Sequence, residues 1–347
     1  MDGSKFDVVT ICNALVDISY QASNADLAKF QLTKGHMHLV DSAKQKAIHE
    51  HFSGKNASVE LGGSSLNVIR ALAALQKKTA FIGMVSSDHY GYIIKKRMED
   101  LKIGNRLIFS DEDSTGTCVI LVTKDGERTG NTHLGASRLY NKDHVPFDDI
   151  RRTRVFHVSG YQWDTKSQKE AIMAALQAAK EANCKISFDV ADPAVVMHHK
   201  GDFLNIISEF ADIVFANEEE TRLLFDRKPT EAASLIADIG AIAAIKLGSK
   251  GALIQKGKEI FTIPPVKATV VDTTAAGDIF AAGFLFGYLS EMSLDTCGQL
   301  AAYMASDVIS RFGTTVSHEV IENVLQTYQG SGWPDGFLKR MRSEELR

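Results

Sequence analysis

A few short stretches of this chain combine residue types and spacings that could do chemistry. VVDTTAAGDIF (Val270–Phe280) sets Asp278 directly after Ala275, Ala276 and Gly277 and directly before an apolar run. A small-residue turn that opens a helix leaves backbone N–H groups without partners, and these, with the helix dipole, favour an anion. Small side chains let the anion come close to the backbone. The acid itself has two readings. It caps the helix, as acids in a first turn do, or it is a base beside an anion site, suited to deprotonating an alcohol that attacks a phosphoryl group.

Four further stretches carry the same kind of ambiguity. ELGGSSLNVIRALAAL (Glu60–Leu75) opens a helix with Gly62, Gly63 and Ser64 and puts Asn67 one turn inside. These are ordinary turn and surface residues, or bare backbone and an amide that hold sugar hydroxyls. CNALVDI ends a strand with Asn13 and Asp17, whose carboxylate either caps a turn or accepts two neighbouring hydroxyls. FANEEETRLLF places Asn217 and Glu220 on one helical face, either an acidic helix start or a hold on a hydrated magnesium ion. IKLGSKGALI supplies Gly248 and Gly251, a turn or the border of a nucleotide site. Tyr161 and Trp163 offer a stacking surface for a purine, or core packing.

The elements that must position these residues follow from periodicity. FDVVTIC, TAFIGMV, RVFHVSG, KISFDV, DIVFAN and AIAAIKL are short, β-branched runs between turn residues and predict buried strands. Helical patterns lie between them at 65–75, 90–101, 166–181 and 218–225. The alternation predicts an α/β fold, a mostly parallel central sheet flanked by helices, with ligands beyond the carboxyl ends of the strands. Residues from about 13–40 and 105–135 break the rhythm with strand-like pieces, and KDGE fits a hairpin turn. They predict a small β subdomain that serves as a lid. Helical patterns at 278–289, 294–311 and 319–328 complete one domain over 1–330, and 331–347 reads as a charged tail.

Composition narrows the function classes. The chain has 347 residues, 44% of them hydrophobic, and a net charge of -4 without a dense Lys/Arg cluster. That balance speaks against nucleic acid or an anionic membrane as partner. Its four cysteines show neither C-x-x-C pairing nor metal spacing, which fits reduced thiols in a cytoplasmic protein. The N-terminus runs straight into a strand pattern rather than a signal peptide, and no apolar run reaches membrane-spanning length.

Taken together, these stretches resemble the ribokinase-like (PfkB) family of carbohydrate and nucleoside kinases, over roughly residues 6–327. The resemblance rests on Asn13 and Asp17, on Gly62-Gly63 with Asn67, on GMVSSDHYG, on N-x-x-E at Asn217–Glu220, on LGSKG and above all on DTTAAGD. NALVDI, KGHMHLVD, DGERTGNTHLGA and GYQWD are most similar to its bacterial adenosine-kinase branch.

The resemblance implies roles. Asp278 would be the general base, with the N–H groups of Ala275, Ala276 and Gly277 as an anion hole. Asn13, Asp17, Gly62, Gly63, Ser64, Asn67 and Tyr161 would hold the acceptor. Asn217, Lys246, Gly248 and Gly251 would border ATP, with adenine near Ala305 and Gly313, and Arg128 on the lid would reach a phosphate. Asn217 and Glu220 would organise Mg2+ through water, and Asp272 and Thr274 stand where some relatives hold K+. The implied reaction is phosphorylation of a ribonucleoside 5'-hydroxyl, with adenosine going to AMP.

A free-sugar kinase for ribose or fructose, a kinase for inosine or guanosine, and a non-catalytic binding protein are the alternatives, and monomer and homodimer both stay open. A nicotinamide-dependent enzyme is disfavoured, because CNALVD stands where G-x-G-x-x-G would follow the first strand. The chain departs from the family at Ala275, usually Gly, and at Cys12, often Gly. A left-handed Ala costs about 1–2 kcal/mol, so the question is whether the turn needs one there.

Overall fold

A computed structural model describes residues 5–331. A sheet of nine strands forms the body, in the spatial order Glu259–Ile263, Ala252–Lys256, Ile242–Lys246, Ile213–Asn217, Lys185–Asp189, Thr153–Ser159, Phe6–Ile11, Thr79–Ser86 and Gly104–Ser110. From Ile242–Lys246 to Gly104–Ser110 every pairing is parallel, and the first two strands form an antiparallel hairpin on that edge. All six runs expected to be strands are in this sheet.

The period of two explains how the sheet is covered. Val8 and Cys12 face one apolar core while Val9 and Ile11 face the other, and Phe81 and Val85 alternate in the same way with Ala80, Ile82 and Met84. Both faces being covered, Thr79–Ser86 is buried along its whole length. One core takes helices Ser64–Ala74, Ala276–Leu289 and Leu294–Val308; the other takes Lys166–Glu181 and Pro193–Glu209.

A second sheet of five strands runs in the order Met37–Leu39, Arg128–Gly135, Thr115–Val122, Leu15–Gln21 and Ser58–Gly62. The hairpin around Lys124–Glu127 joins two of them antiparallel. Two features differ from the expected lid pieces at 13–40 and 105–135. Gly104–Ser110 belongs to the large sheet, parallel to Thr79–Ser86, because helix His89–Asp100 crosses over between them. Ser58–Gly62 is instead a lid strand, paired with Leu15–Gln21, though its Gly-Gly end reads as a turn. Helices Asn24–Lys29, Ser42–His51, Pro193–Glu209 and Pro229–Asp238 and the edge hairpin were not anticipated. The tail expected over 331–347 lies outside the described residues except for Ser331. Among the described residues no helix is long and apolar enough to cross a membrane.

Candidate active site

One cleft, about 1470 Å³, lies where the small sheet faces the carboxyl ends of the large one. Its floor is made by the residues that end or follow successive parallel strands: Asn13, Tyr161, Asp189, Asn217 and Lys246. The volume exceeds the roughly 300–1,000 Å³ of a single small-molecule pocket and suits two ligands side by side.

Asp278 sits in the first turn of helix Ala276–Leu289. Its Oδ1 accepts a hydrogen bond from the Ser64 hydroxyl at 2.6 Å and its Oδ2 from the Asn67 amide at 2.9 Å. Burial pushes its pKa up to about 6, against the pull of those two bonds and of Lys246. Asp278 is thus a carboxylate poised to take a proton near neutral pH. Ala275, the residue before the helix, has φ 60 and ψ 6, so the turn does demand a left-handed residue and an alanine supplies it under strain. Among the described residues, the N–H groups of Ala275 and Gly277 have no protein partner. Ala276 differs from the expected third donor, since its N–H turns back to the Thr273 carbonyl at 3.2 Å.

The acceptor end is shaped by the two glycines. A Cβ on Gly62 would lie 2.1 Å from Asp17 Oδ1, so the missing side chain is the space the carboxylate occupies. Gly63 has φ +99 and lies against the Asn13 carbonyl, where a Cβ would come to 2.7 Å. Asp17 is half-buried with no hydrogen bond among the described residues; burial lifts its pKa to about 7, with Arg128 opposing. Asn13 differs from the expected contact with substrate hydroxyls. Its amide donates to the Tyr161 carbonyl at 2.9 Å, and its Oδ1 accepts from Gln168 at 2.9 Å, so it holds the Tyr161 loop in place. Tyr161 lines the cleft, its hydroxyl 3.4 Å from Asp192. Trp163 is core: it is buried, packs edge-on against Phe203 and donates to Asp202 at 2.6 Å.

At the other end, Asn217 and Glu220 form a capping box for helix Glu218–Phe225. Both Glu220 oxygens accept from Asn217, at 2.7 and 2.6 Å, and burial raises the Glu220 pKa to about 7. Gly248 and Gly251 line the cleft with Ala305, at φ +59 and +93. Gly313 is not among the lining residues; its N–H meets Asp272 at 3.3 Å.

The expected K+ position is taken by donors. Asp272 Oδ1 accepts from the Thr274 N–H and hydroxyl at 3.0 and 2.6 Å, while its Oδ2 accepts from Arg128 at 2.6 Å. A guanidinium on this carboxylate repels a second cation, so these residues do not fit K+. Arg128, expected at a phosphate, bridges the lid to the loop before the anion turn.

Two functional neighbours were missed. Asp189 is buried in the cleft wall, 3.5 Å from Lys246 Nζ, and that ammonium packs against Gly277, where a Cβ would lie 3.1 Å away. Its place at the carboxyl end of KISFDV was the available signal. Arg70, three residues after Asn67 and hence on the same face, donates to the Asn67 side-chain oxygen Oδ1 at 3.2 Å.

A base, unpaired N–H donors beside it and a buried ammonium under the turn make an arrangement that can activate an alcohol and receive a phosphoryl group. The chain is similar to known proteins along most of its length. Archaeoglobus fulgidus has an uncharacterized sugar kinase that is 31% identical over 70% of this chain and 95% of its own length. The crystal structure of a probable sugar kinase from Rhizobium etli superposes with a TM-score of 0.86 at 33% identity, covering 93% of this chain and 99% of that one. An adenosine kinase from Sinorhizobium meliloti gives the same TM-score at 31% identity, covering 93% and 100%. Residues 36–321 match the pfkB family carbohydrate kinase pattern, and the chain belongs to that family: it is a phosphotransferase acting on a sugar or nucleoside alcohol.

Proposed function

We propose that the acceptor is a ribonucleoside and that the reaction is phosphorylation of the adenosine 5'-hydroxyl by ATP, giving AMP. The observation that carries this reading is the inner face of the lid. Asp17 shares that face with Leu15 and stands opposite Cys118, which is itself opposite Thr132, and Leu134 lies two residues further along. Leu39, opposite Thr132, and Met37 line the cleft beside this face and are exposed, so a sugar held by Asp17 alone would leave them wet, whereas an attached base would cover them. Similarity to the Sinorhizobium meliloti adenosine kinase supports the same choice.

In this reading Asp17, Gly63 and Asn67 hold the ribose, and Asp278 takes the 5'-hydroxyl proton as the oxygen attacks the γ-phosphorus in line. The N–H groups of Ala275 and Gly277, with Lys246 beneath the turn, meet the charge on the moving phosphoryl group. A Mg2+ bound with the nucleotide would neutralise its phosphates, and Asn217 and Glu220 would hold it through water. The lid over the acceptor keeps out water, the competing nucleophile.

A panel of adenosine, inosine, guanosine, ribose and fructose, read by ADP release, tests the acceptor. Adenosine is expected to be turned over best; turnover with ribose and none with adenosine overturns the choice in favour of a sugar kinase. Acceptor binding with no ADP from any member would mark a non-catalytic protein. Replacing Asp278 by Asn is expected to lower turnover by about 10²–10⁴-fold while ATP still binds. Turnover near that of the wild type would remove Asp278 from the role of base.

A further inference from the structure

We infer that Arg70 is a positioning residue for the base: it fixes the Asn67 amide so that its NH2 end, and not its carbonyl, faces Asp278. The inference rests on Asp278 being the base. Arg70 lies in helix Ser64–Ala74, and its Nη1 donates to the Leu61 carbonyl at 3.0 Å, to Asn67 Oδ1 at 3.2 Å and to the Thr314 hydroxyl at 3.3 Å. Its Nη2 donates to the Thr315 hydroxyl.

The chemistry of the two ends decides how the amide lies. A guanidinium has donors only, so the Asn67 atom it touches is the carbonyl oxygen. An ionised carboxylate accepts only, so the atom facing Asp278 Oδ2 at 2.9 Å is the amide nitrogen. Charge at both ends strengthens and orients this chain of bonds. Without Arg70 only the charge of Asp278 orients the amide, and once Asp278 is protonated the amide can turn its carbonyl oxygen to accept from the acid's O–H, which favours the protonated form.

The surroundings suit the role. Burial lowers the Arg70 pKa and Arg97 adds to that, while Glu60 and Asp17 favour the charge. Asp278 faces Ser64, Asn67, Asp189 and Lys246, with Asp17 across the cleft. Arg70 also ties Leu61, next to Gly62 in the lid strand, to Thr314, next to Gly313. A role in tying these loops alone is the competing account, and the two accounts separate by pH.

The Asn67 bond favours the ionised form of Asp278, so losing it moves the acid limb of kcat/KM to higher pH. With adenosine and MgATP (or the free sugar that replaces adenosine in the panel), Arg70→Met is expected to move that limb up by about one pH unit. It is also expected to lower kcat by roughly ten- to a hundredfold with the KM for ATP nearly unchanged. Asn67→Ala should shift the limb equally, the double variant no further, and Thr314→Val not at all.

A limb that stays at the wild-type position in Arg70→Met, or shifts that add in the double variant, overturns the inference. Should Arg70→Met not fold, Arg70→Leu likewise removes the charge and every donor, and the same two outcomes decide. The readings stay distinguishable: if Asp278→Asn keeps turnover, the base assignment fails, whereas an inactive Asp278→Asn with an unmoved Arg70→Met limb removes only Arg70.

Discussion

At the scale of single residues, the site is a set of groups held where each is least comfortable. Ala275 is the clearest case, with a left-handed backbone that glycine adopts freely. Ala275→Gly is expected to stabilise the fold by a net ~0.5–1 kcal/mol once the greater freedom of glycine in the unfolded chain is subtracted, and so to raise Tm. Thermal unfolding of the ligand-free protein checks this, and a lower Tm would mean that the methyl contributes packing that outweighs the strain. Several of these residues were legible in the sequence. DTTAAGD and GGSSLN drew out Asp278, Ser64 and Asn67, because a turn opening a helix constrains its first residues locally. Ser64 and Asn67 were expected on the acceptor, however, and their bonds to the distant Asp278 were not legible. The amide of Asn13 and the carboxylate of Asp272 were not legible, since their partners Gln168, Tyr161 and Arg128 are remote in sequence.

At the scale of elements, the lid is joined to the body by a bond between Arg128 at the start of one strand and Asp272 in the loop before the anion turn. Both partners are largely buried, so the bond is little screened by salt. Arg128→Ala is expected to speed amide hydrogen exchange in strands Thr115–Val122 and Arg128–Gly135 and to raise ATP hydrolysis relative to transfer to the acceptor. Unchanged exchange in those strands would show that the lid is held by other contacts. The parallel strands were readable because burial on both faces makes them short and continuously apolar. Two edge strands were less so. GNRLIFS and SVELG are each half-exposed runs, and only their pairing partners decide which sheet takes them. Helix Pro193–Glu209 was obscured by its own kink at His199.

At the scale of the whole molecule, the cleft carries a cost that depends on pH. Asp17 has its pKa raised from 3.8 to about 7, so the folded state binds its proton more tightly than the unfolded chain does. The sign follows from linkage: its contribution to stability is fully present below the unfolded value and is lost as pH rises through about 7. Asp17→Asn is therefore expected to match the wild type in stability near pH 4 and to exceed it at pH 8, by an amount of order 2 kcal/mol. Denaturation at both pH values measures it, and a gain that is equal at the two would refute the charge as its source. The acceptor that pairs with Asp17 would recover this cost on binding. The same carboxylate also has a consequence for descent. A side chain gained at position 62 would have to push the Asp17 carboxylate out of the volume it fills, so the fates of the two positions are coupled. In the proposed function, that displacement would also move the group that holds the acceptor.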